Sequence, residues 1–443
     1  MFRRCAALCL LVLVLARPTR ADEVSAFDFE QSPLGDQWTA VGRGVQASLQ
    51  PVAGEAPADG PRGTALAIAA AGPGGVFTQP GVVPADLSRF DRLEFWVHRS
   101  EAEARTRPHI DIEAQAVGAD GARYWRRLPL DRPGWQQVSL PLKWFRWGQG
   151  HLPDWKHVDR LGIRVRGAAE LQLDDLRLVD DDPQRSAALE PGDVIELAFA
   201  GKQDVHRKDG PHAVVASDAP ELDADQLADH LEKVAAKLAA DLPELKEGPP
   251  GVLLVFGKDE DYRQFTPRLG AKLGAEAPLP KSDGYTLHGV ATAAWNPRYG
   301  TLRPVYTHEF VHAYLIPRLG FDNHGDWLHE GLAARTQLHF HPQPGFDKIV
   351  RAGLANPAAR TPLAELASGR PIPVQRYWQA ATLVDLLLDS PQYAPRRPAL
   401  IEALRKAGSA DLGPHLQAAL ATDWAGLEAD WKQWCEQKYG EKG

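Results

Sequence analysis

The segment from Tyr306 to Ala334, YTHEFVHAYLIPRLGFDNHGDWLHEGLAA, holds the residues best spaced to do chemistry. At 3.6 residues per turn, His308 and His312 project from one face of a helix, so two imidazoles can grip one metal ion. Glu309 stands beside them, where a carboxylate can take the proton of a water activated by that ion. A third ligand is needed. Glu330, 18 positions after His312 and on the first turn of the next helical pattern, is the candidate. HExxH alone is moderately specific, since a chance match in a chain of this length arises on the order of a few per cent of the time.

The bland alternative is an exposed helix carrying two solvated histidines. Val305, Phe310, Val311 and Leu315 argue against it, because they predict a largely buried helix whose polar groups need partners. HEFVH followed by WLHEGLA resembles the gluzincin metallopeptidases, and most of all the bacterial peptidase MA-like proteins, whose second motif runs W-L-x-E-G-x-A. The resemblance covers about Pro211 to Tyr439. It implies a Zn²⁺ ion held by His308, His312 and Glu330, with Glu309 as general base and a peptide or protein as substrate. It also implies that the segment 282–295 is an edge strand beside the cleft. Tyr377, which opens a later helix in a Y-x-x-A setting, would stabilise the oxyanion; a packing tyrosine is the other reading. One departure stands out: the position four after Glu330 is Ala334, not the aspartate of thermolysin, so any carboxylate that orients a histidine by hydrogen bonding comes from elsewhere.

The rest of the chain sets the frame. Its 443 residues suffice for two or three domains with cores of their own, and 44% hydrophobic with 24% charged residues is ordinary for globular proteins. The N-terminus has Arg3 and Arg4, then an apolar run from Cys5 to Ala16, then Thr19-Arg20-Ala21, which is the pattern of a signal peptide cut after Ala21. An uncleaved anchor is the rival reading, but a run of 12 is too short to span a bilayer. Loss of residues 1–21, with their four arginines, would move the formal charge from −8 to −12, which disfavours a nucleic-acid partner. Cys435 would be the sole remaining cysteine, a helix-packing residue. The expectation is an exported bacterial protein, periplasmic or secreted, with no transmembrane anchor after cleavage.

Residues 22–180 read as an all-β sandwich, from short alternating segments at 65–69, 92–98, 109–117, 135–142, 160–167 and 171–179. Their order resembles the galactose-binding-like jelly rolls of carbohydrate-binding modules. Trp144, Trp147 and Trp155 would then stack on a sugar ligand or fill the core. Asp28, Glu30, Asp174 and Asp175 would gather a structural Ca²⁺ or stay solvated. A polar linker is expected at 181–193, and a metallopeptidase domain at 194–443. That domain has an α/β lobe to about 300, active-site helices at 303–340 and a helical lobe at 360–440. The fold class expected is therefore multidomain: an all-β jelly-roll sandwich followed by an α+β gluzincin-like domain with a helical C-terminal lobe. Two functions follow. The first is zinc-dependent peptide hydrolysis, with the sandwich directing the enzyme to glycosylated or cell-wall substrates or acting as a spacer. The second is a non-catalytic carbohydrate- or surface-binding protein on a peptidase-like scaffold.

Overall fold

A computed structural model describes residues 22–30, 34–100, 109–114, 123–128, 130, 132–147, 152, 154–180, 189–272 and 279–440. The expected signal peptide and residues 181–188 of the expected linker lie outside them. Among the described residues no helix is long and apolar enough to cross a membrane.

The first part of the chain forms β1 (Asp22–Phe27), a helical turn α1 (Leu34–Gln37), β2 (Trp38–Val41), β3 (Val45–Pro51), β4 (Thr64–Ala70), β5 (Gly74–Thr78) and β6 (Arg92–Arg99). It continues through β7 (His109–Ala114), β8 (Arg123–Arg127), β9 (Gly134–Pro141), β10 (Arg146–Trp147), β11 (Val158–Val165) and β12 (Ala169–Asp180). These make two antiparallel sheets, in the orders β3-β4-β12-β6-β9 and β10-β8-β7-β11-β5-β2. β12 is long enough to pair β4 along its first half and β1 along its second. Period-two alternation sends Leu93, Phe95 and Val97 of β6 inward, where they meet Val76, Leu161 and Ile163 of the facing sheet. Trp96 turns outward and packs on Trp135 instead.

The second part opens with α2 (Pro191–Ala198), β13 (His206–Asp209), β14 (Ala213–Ser217), α3 (Ala224–Asp241), β15 (Gly251–Phe256), α4 (Asp259–Lys272), β16 (Gly284–Leu287) and β17 (Val290–Ala294). Its sheet has the order β13-β14-β15-β17-β16. The three central strands run parallel and are buried throughout, so they read as continuous apolar runs. β13 and β16 close the edges antiparallel. One face packs on Leu227, Leu231 and Leu238 of α3 and on Phe310 of α5 (Pro304–Leu319). The other face packs on α2 and α4, and Trp144 of the sandwich joins that core. The chain then continues through α6 (Trp327–Phe340), α7 (Phe346–Ala355), α8 (Leu363–Leu366), α9 (Tyr377–Asp389), α10 (Arg397–Ala407) and α11 (Trp424–Tyr439).

Several details differ from the sequence reading. α2 starts at Pro191, inside the segment read as linker, because Val194 and Ile195 bury against the sheet. Pro317, which the sequence would suggest as a stop, lies within the last turn of α5; the helix ends where Gly320 takes a left-handed φ of 84°. Trp144, Trp147 and Trp155 are all buried: Trp147 and Trp155 pack in the sandwich core, as one of the two readings had it, and Trp144 in the core of the second part. Cys435 is buried as expected, and burial pushes its thiol up to about 12.

Helices α6 and α9 cross closely at Gly331, where an added Cβ would lie 2.7 Å from the Ala380 carbonyl oxygen and 2.8 Å from Val384 Cγ2. Gly331→Ala should therefore cost about 1–3 kcal/mol through overpacking. Thermal unfolding reads this as a midpoint several degrees lower; an unchanged midpoint would mean that the crossing has room to spare.

Candidate metal centre

α5 enters with Pro304 in its first turn and buries Phe310, Val311 and Leu315, which fixes the direction of His308 and His312. Their rings sit 4.9 Å apart, centroid to centroid. α6 brings the third group. Asp326 caps that helix, its carboxylate accepting from the backbone N–H groups of Leu328 at 3.0 Å and His329 at 3.1 Å. Glu330 follows in the first turn, where the helix dipole favours a negative charge. Its Oε2 lies 3.2 Å from His308 Nε2 and 3.5 Å from His312 Nε2.

The donor set fits a metal. In a tetrahedral zinc site with bonds of roughly 2.0–2.1 Å, neighbouring ligand atoms stand about 3.3 Å apart, and the two Glu330 contacts bracket that spacing. Among the described residues, His308, His312 and Glu330 are the one group of three whose ligand atoms lie within 4.8 Å of one another. Burial works to raise the Glu330 carboxyl, but the imidazoles of His312 and His308 outweigh it and hold the group well below the usual carboxylate range. The group is thus held ionised, as a ligand must be.

Two neighbours that the sequence reading did not single out complete the shell. The Asn323 side-chain amide meets His312 Nδ1 at 3.1 Å, while its Oδ1 accepts from the Gly325 N–H at 2.7 Å. Turned over, the amide would present Oδ1 to His312 Nδ1–H and so hold the tautomer whose Nε2 is open to a metal, a role for which Ala334 has no functional group. Thr286, on edge strand β16, donates its hydroxyl to Glu309 Oε2 at 2.7 Å. β16 comes this close because Gly284 lacks a Cβ, which would stand 2.7 Å from Glu309 Cγ. Burial pushes the Glu309 carboxyl up to about 7, with His308 and Thr286 acting against that rise.

Tyr377 opens α9 and faces the same cleft, its ring nearly parallel to that of His308 at 5.8 Å. Burial, then Glu330 and a hydrogen bond to it, raise the phenol well above its ordinary range. The cleft itself encloses about 1200 Å³. Ile349, 40% exposed, and Val374, 70% exposed, give it an apolar stretch.

Other polar groups of this region, and the carboxylates of the sandwich, have different partners. The His288 side chain is 6% exposed and packs against Trp147 of the sandwich. Asp322 and His324 line the cleft, whereas Asp326 is committed to the α6 cap and to His329 Nδ1 at 2.9 Å. His341 contacts the Thr307 hydroxyl at 2.9 Å, which also meets His230 at 2.8 Å, and it is outside the three-donor group. The four carboxylates read as a calcium site do not form a group of three close ligands. Glu30 accepts instead from the Thr64 N–H at 2.7 Å, Asp28 from the Glu30 N–H at 3.2 Å, and Asp174 from the Asp175 N–H at 2.8 Å.

No family model matches the chain, and no curated protein matches it. Among solved structures, a family 11 carbohydrate-binding module of a cellulosomal cellulase from Clostridium thermocellum is 16% identical, with a TM-score of 0.29 over 37% of this chain and 96% of its own. The same module in complex with a β-1,3-1,4-mixed-linked tetrasaccharide is 18% identical, with a TM-score of 0.29 over 39% of this chain and 99% of its own. A xylan-binding domain from Paenibacillus barcinonensis is 15% identical, with a TM-score of 0.25 over 39% of this chain and 98% of its own. None of these three is a peptidase, and at such values the likeness assigns no ligand to this chain.

The donor geometry predicts one zinc ion per chain by equilibrium dialysis. Glu330→Ala should abolish tight binding, and Asn323→Ala should weaken it by about 10–100-fold. Zinc binding by Glu330→Ala as tight as that of the wild type would remove Glu330 from the site.

Proposed function

We propose that this chain is a zinc-dependent hydrolase acting on peptide bonds. One observation carries the reading: a buried carboxylate, Glu309, stands in the same cleft as the His308, His312 and Glu330 donors and is tied to the sheet edge by Thr286. Zinc bound there would supply Lewis acidity, polarising the scissile carbonyl and bringing the pKa of water toward neutrality.

The chain's own residues do the rest. Glu309 accepts the proton of the attacking water and passes it to the leaving amine, so that a poor leaving group departs neutral. Burial raises this carboxyl toward the operating pH, against the charge of a bound ion, and a group near that pH suits both transfers. Tyr377 directs its hydroxyl to Glu330 and lies beside the place where charge develops on the carbonyl oxygen, where a donor would stabilise it. β16 is the edge of its sheet, which suits it to take an extended peptide by backbone pairing. Ile349 and Val374 would receive an apolar side chain.

The two-sheet sandwich favours a second reading, a non-catalytic carbohydrate- or surface-binding protein, which requires no turnover. Peptide-library cleavage by the zinc-loaded wild type and by Glu309→Gln separates the two. The proposal expects cleavage by the wild type and a rate about 10²–10⁴-fold lower in the variant, with zinc retained. No cleavage by either protein favours the binding reading.

Glu309 is a base only when ionised, so kcat/KM should fall as the pH drops through its pKa. That pKa is about 7 without a metal and is lowered by the charge of a bound ion. Thr286→Val removes a hydroxyl that favours the ionised form, so the acid limb of the pH profile should move to higher pH. A limb that stays in place would mean that another group sets it.

A further inference from the structure

Trp125, Arg146 and Trp147 belong to the sandwich, yet they line the same cleft as His308, Glu309 and Glu330. The junction that puts them there is a packed one. Trp144 is 5% exposed and shares a core with α2, α4 and the central sheet, while Lys143 pairs with Asp193 of α2. Trp147 meets the His288 ring edge-on at 4.3 Å. His288 stands at the tip of the β16–β17 hairpin, where it and Gly289 take left-handed φ values of 49° and 79°, as a tight two-residue hairpin requires. On its other side His288 Nδ1 lies 3.7 Å from Asp322. The sandwich edge is therefore held against the hairpin whose first strand carries Thr286 and runs beside Glu309.

The β8–β10 pairing sets Arg146 opposite Trp125, and its guanidinium lies over the Trp125 ring at 5.3 Å. Among the described residues Arg146 is the one arginine or lysine in the cleft lining, and it forms no ion pair. The formal charges around it are acidic: Asp283, which pairs with Arg303, and Glu309, Asp322 and Glu330. An arginine backed by an aromatic face, with its donor fork uncommitted, matches a carboxylate in two-pronged pairing.

We infer that Arg146, backed by Trp125, forms a substrate subsite that the sandwich contributes to the metal cleft, and that it takes a carboxylate of the peptide. The carboxylate is an acidic side chain or the free C-terminus of the chain being cut. This inference rests on the hydrolytic reading of the metal centre, and it gives the sandwich a part in selecting substrate.

The test uses the full zinc-loaded chain with matched peptides that differ only as Glu against Gln, each made with a free acid or an amide at the C-terminus. Binding is measured by calorimetry in the Glu309→Gln background, and cleavage is measured in the wild type. A preference of about tenfold or more for a carboxylate is expected, as for a charge-assisted pair. The Glu/Gln arm or the acid/amide arm tells which carboxylate is taken. Arg146→Ala should bring the preference to about one, and Arg146→Lys should keep part of it, which controls for misfolding. A wild type indifferent to both arms, or a preference that survives Arg146→Ala, overturns the subsite. Cleavage without preference sinks the subsite and leaves hydrolysis standing. An Arg146-dependent binding preference without cleavage sinks hydrolysis and leaves the subsite standing.

Discussion

The burial of the Glu330 carboxylate between two imidazoles is the interaction on which the rest of the second domain depends. A carboxylate 5% exposed is costly unless positive charge meets it. His308 and His312 approach one of its oxygens at the spacing of metal ligands rather than along a single strong hydrogen bond, so a dication at their centre would satisfy all three groups at once. Much of the surrounding structure keeps that convergence in place. α5 is anchored by its apolar face, α6 by the Asp326 cap, and α6 against α9 by the close crossing at Gly331.

The parts legible in the sequence are those with local periodicity or fixed spacing. The i, i+4 histidines, the capped start of α6 carrying Glu330, the leucine stripe of α3 and the alternation in β4, β6 and β12 each leave a pattern within a few residues. The segment 282–295 was expected, through resemblance to a family, as a single edge strand; it folds instead as a hairpin about His288 and Gly289, with β16 at the sheet edge and β17 inside the sheet. What escaped notice comes from contacts between distant segments. Asn323 looks like any loop asparagine until the loop folds back onto His312, and Thr286 looks like any strand threonine until β16 meets α5. The same limit explains His288: its turn φ and its burial against Trp147 join segments more than a hundred residues apart, and no local pattern encodes that pairing.

The sandwich changes character once its tryptophans are placed. As sequence, Trp144, Trp147 and Trp155 fit either a sugar platform or a core. As structure, Trp155 fills the sandwich, Trp144 enters the core of the second domain and Trp147 braces the β16–β17 hairpin. Two of the three therefore serve the junction between domains. On the proposed reading, a cleft shared in this way would separate chemistry from selection: the helices would hold the metal ligands and the base, while the sandwich edge supplies Arg146, the one arginine or lysine in the lining among the described residues.

The central claim is that the buried histidine and glutamate trio is a zinc site open to a peptide. Anomalous diffraction at the zinc edge, from crystals of the Glu309→Gln protein grown with zinc and a peptide, tests it most directly. The account predicts one strong peak within bonding distance of His308 Nε2, His312 Nε2 and Glu330, with peptide density alongside β16. Crystals that contain zinc but show no peak at this trio, with Glu330 simply hydrogen-bonded to the imidazoles, would contradict it.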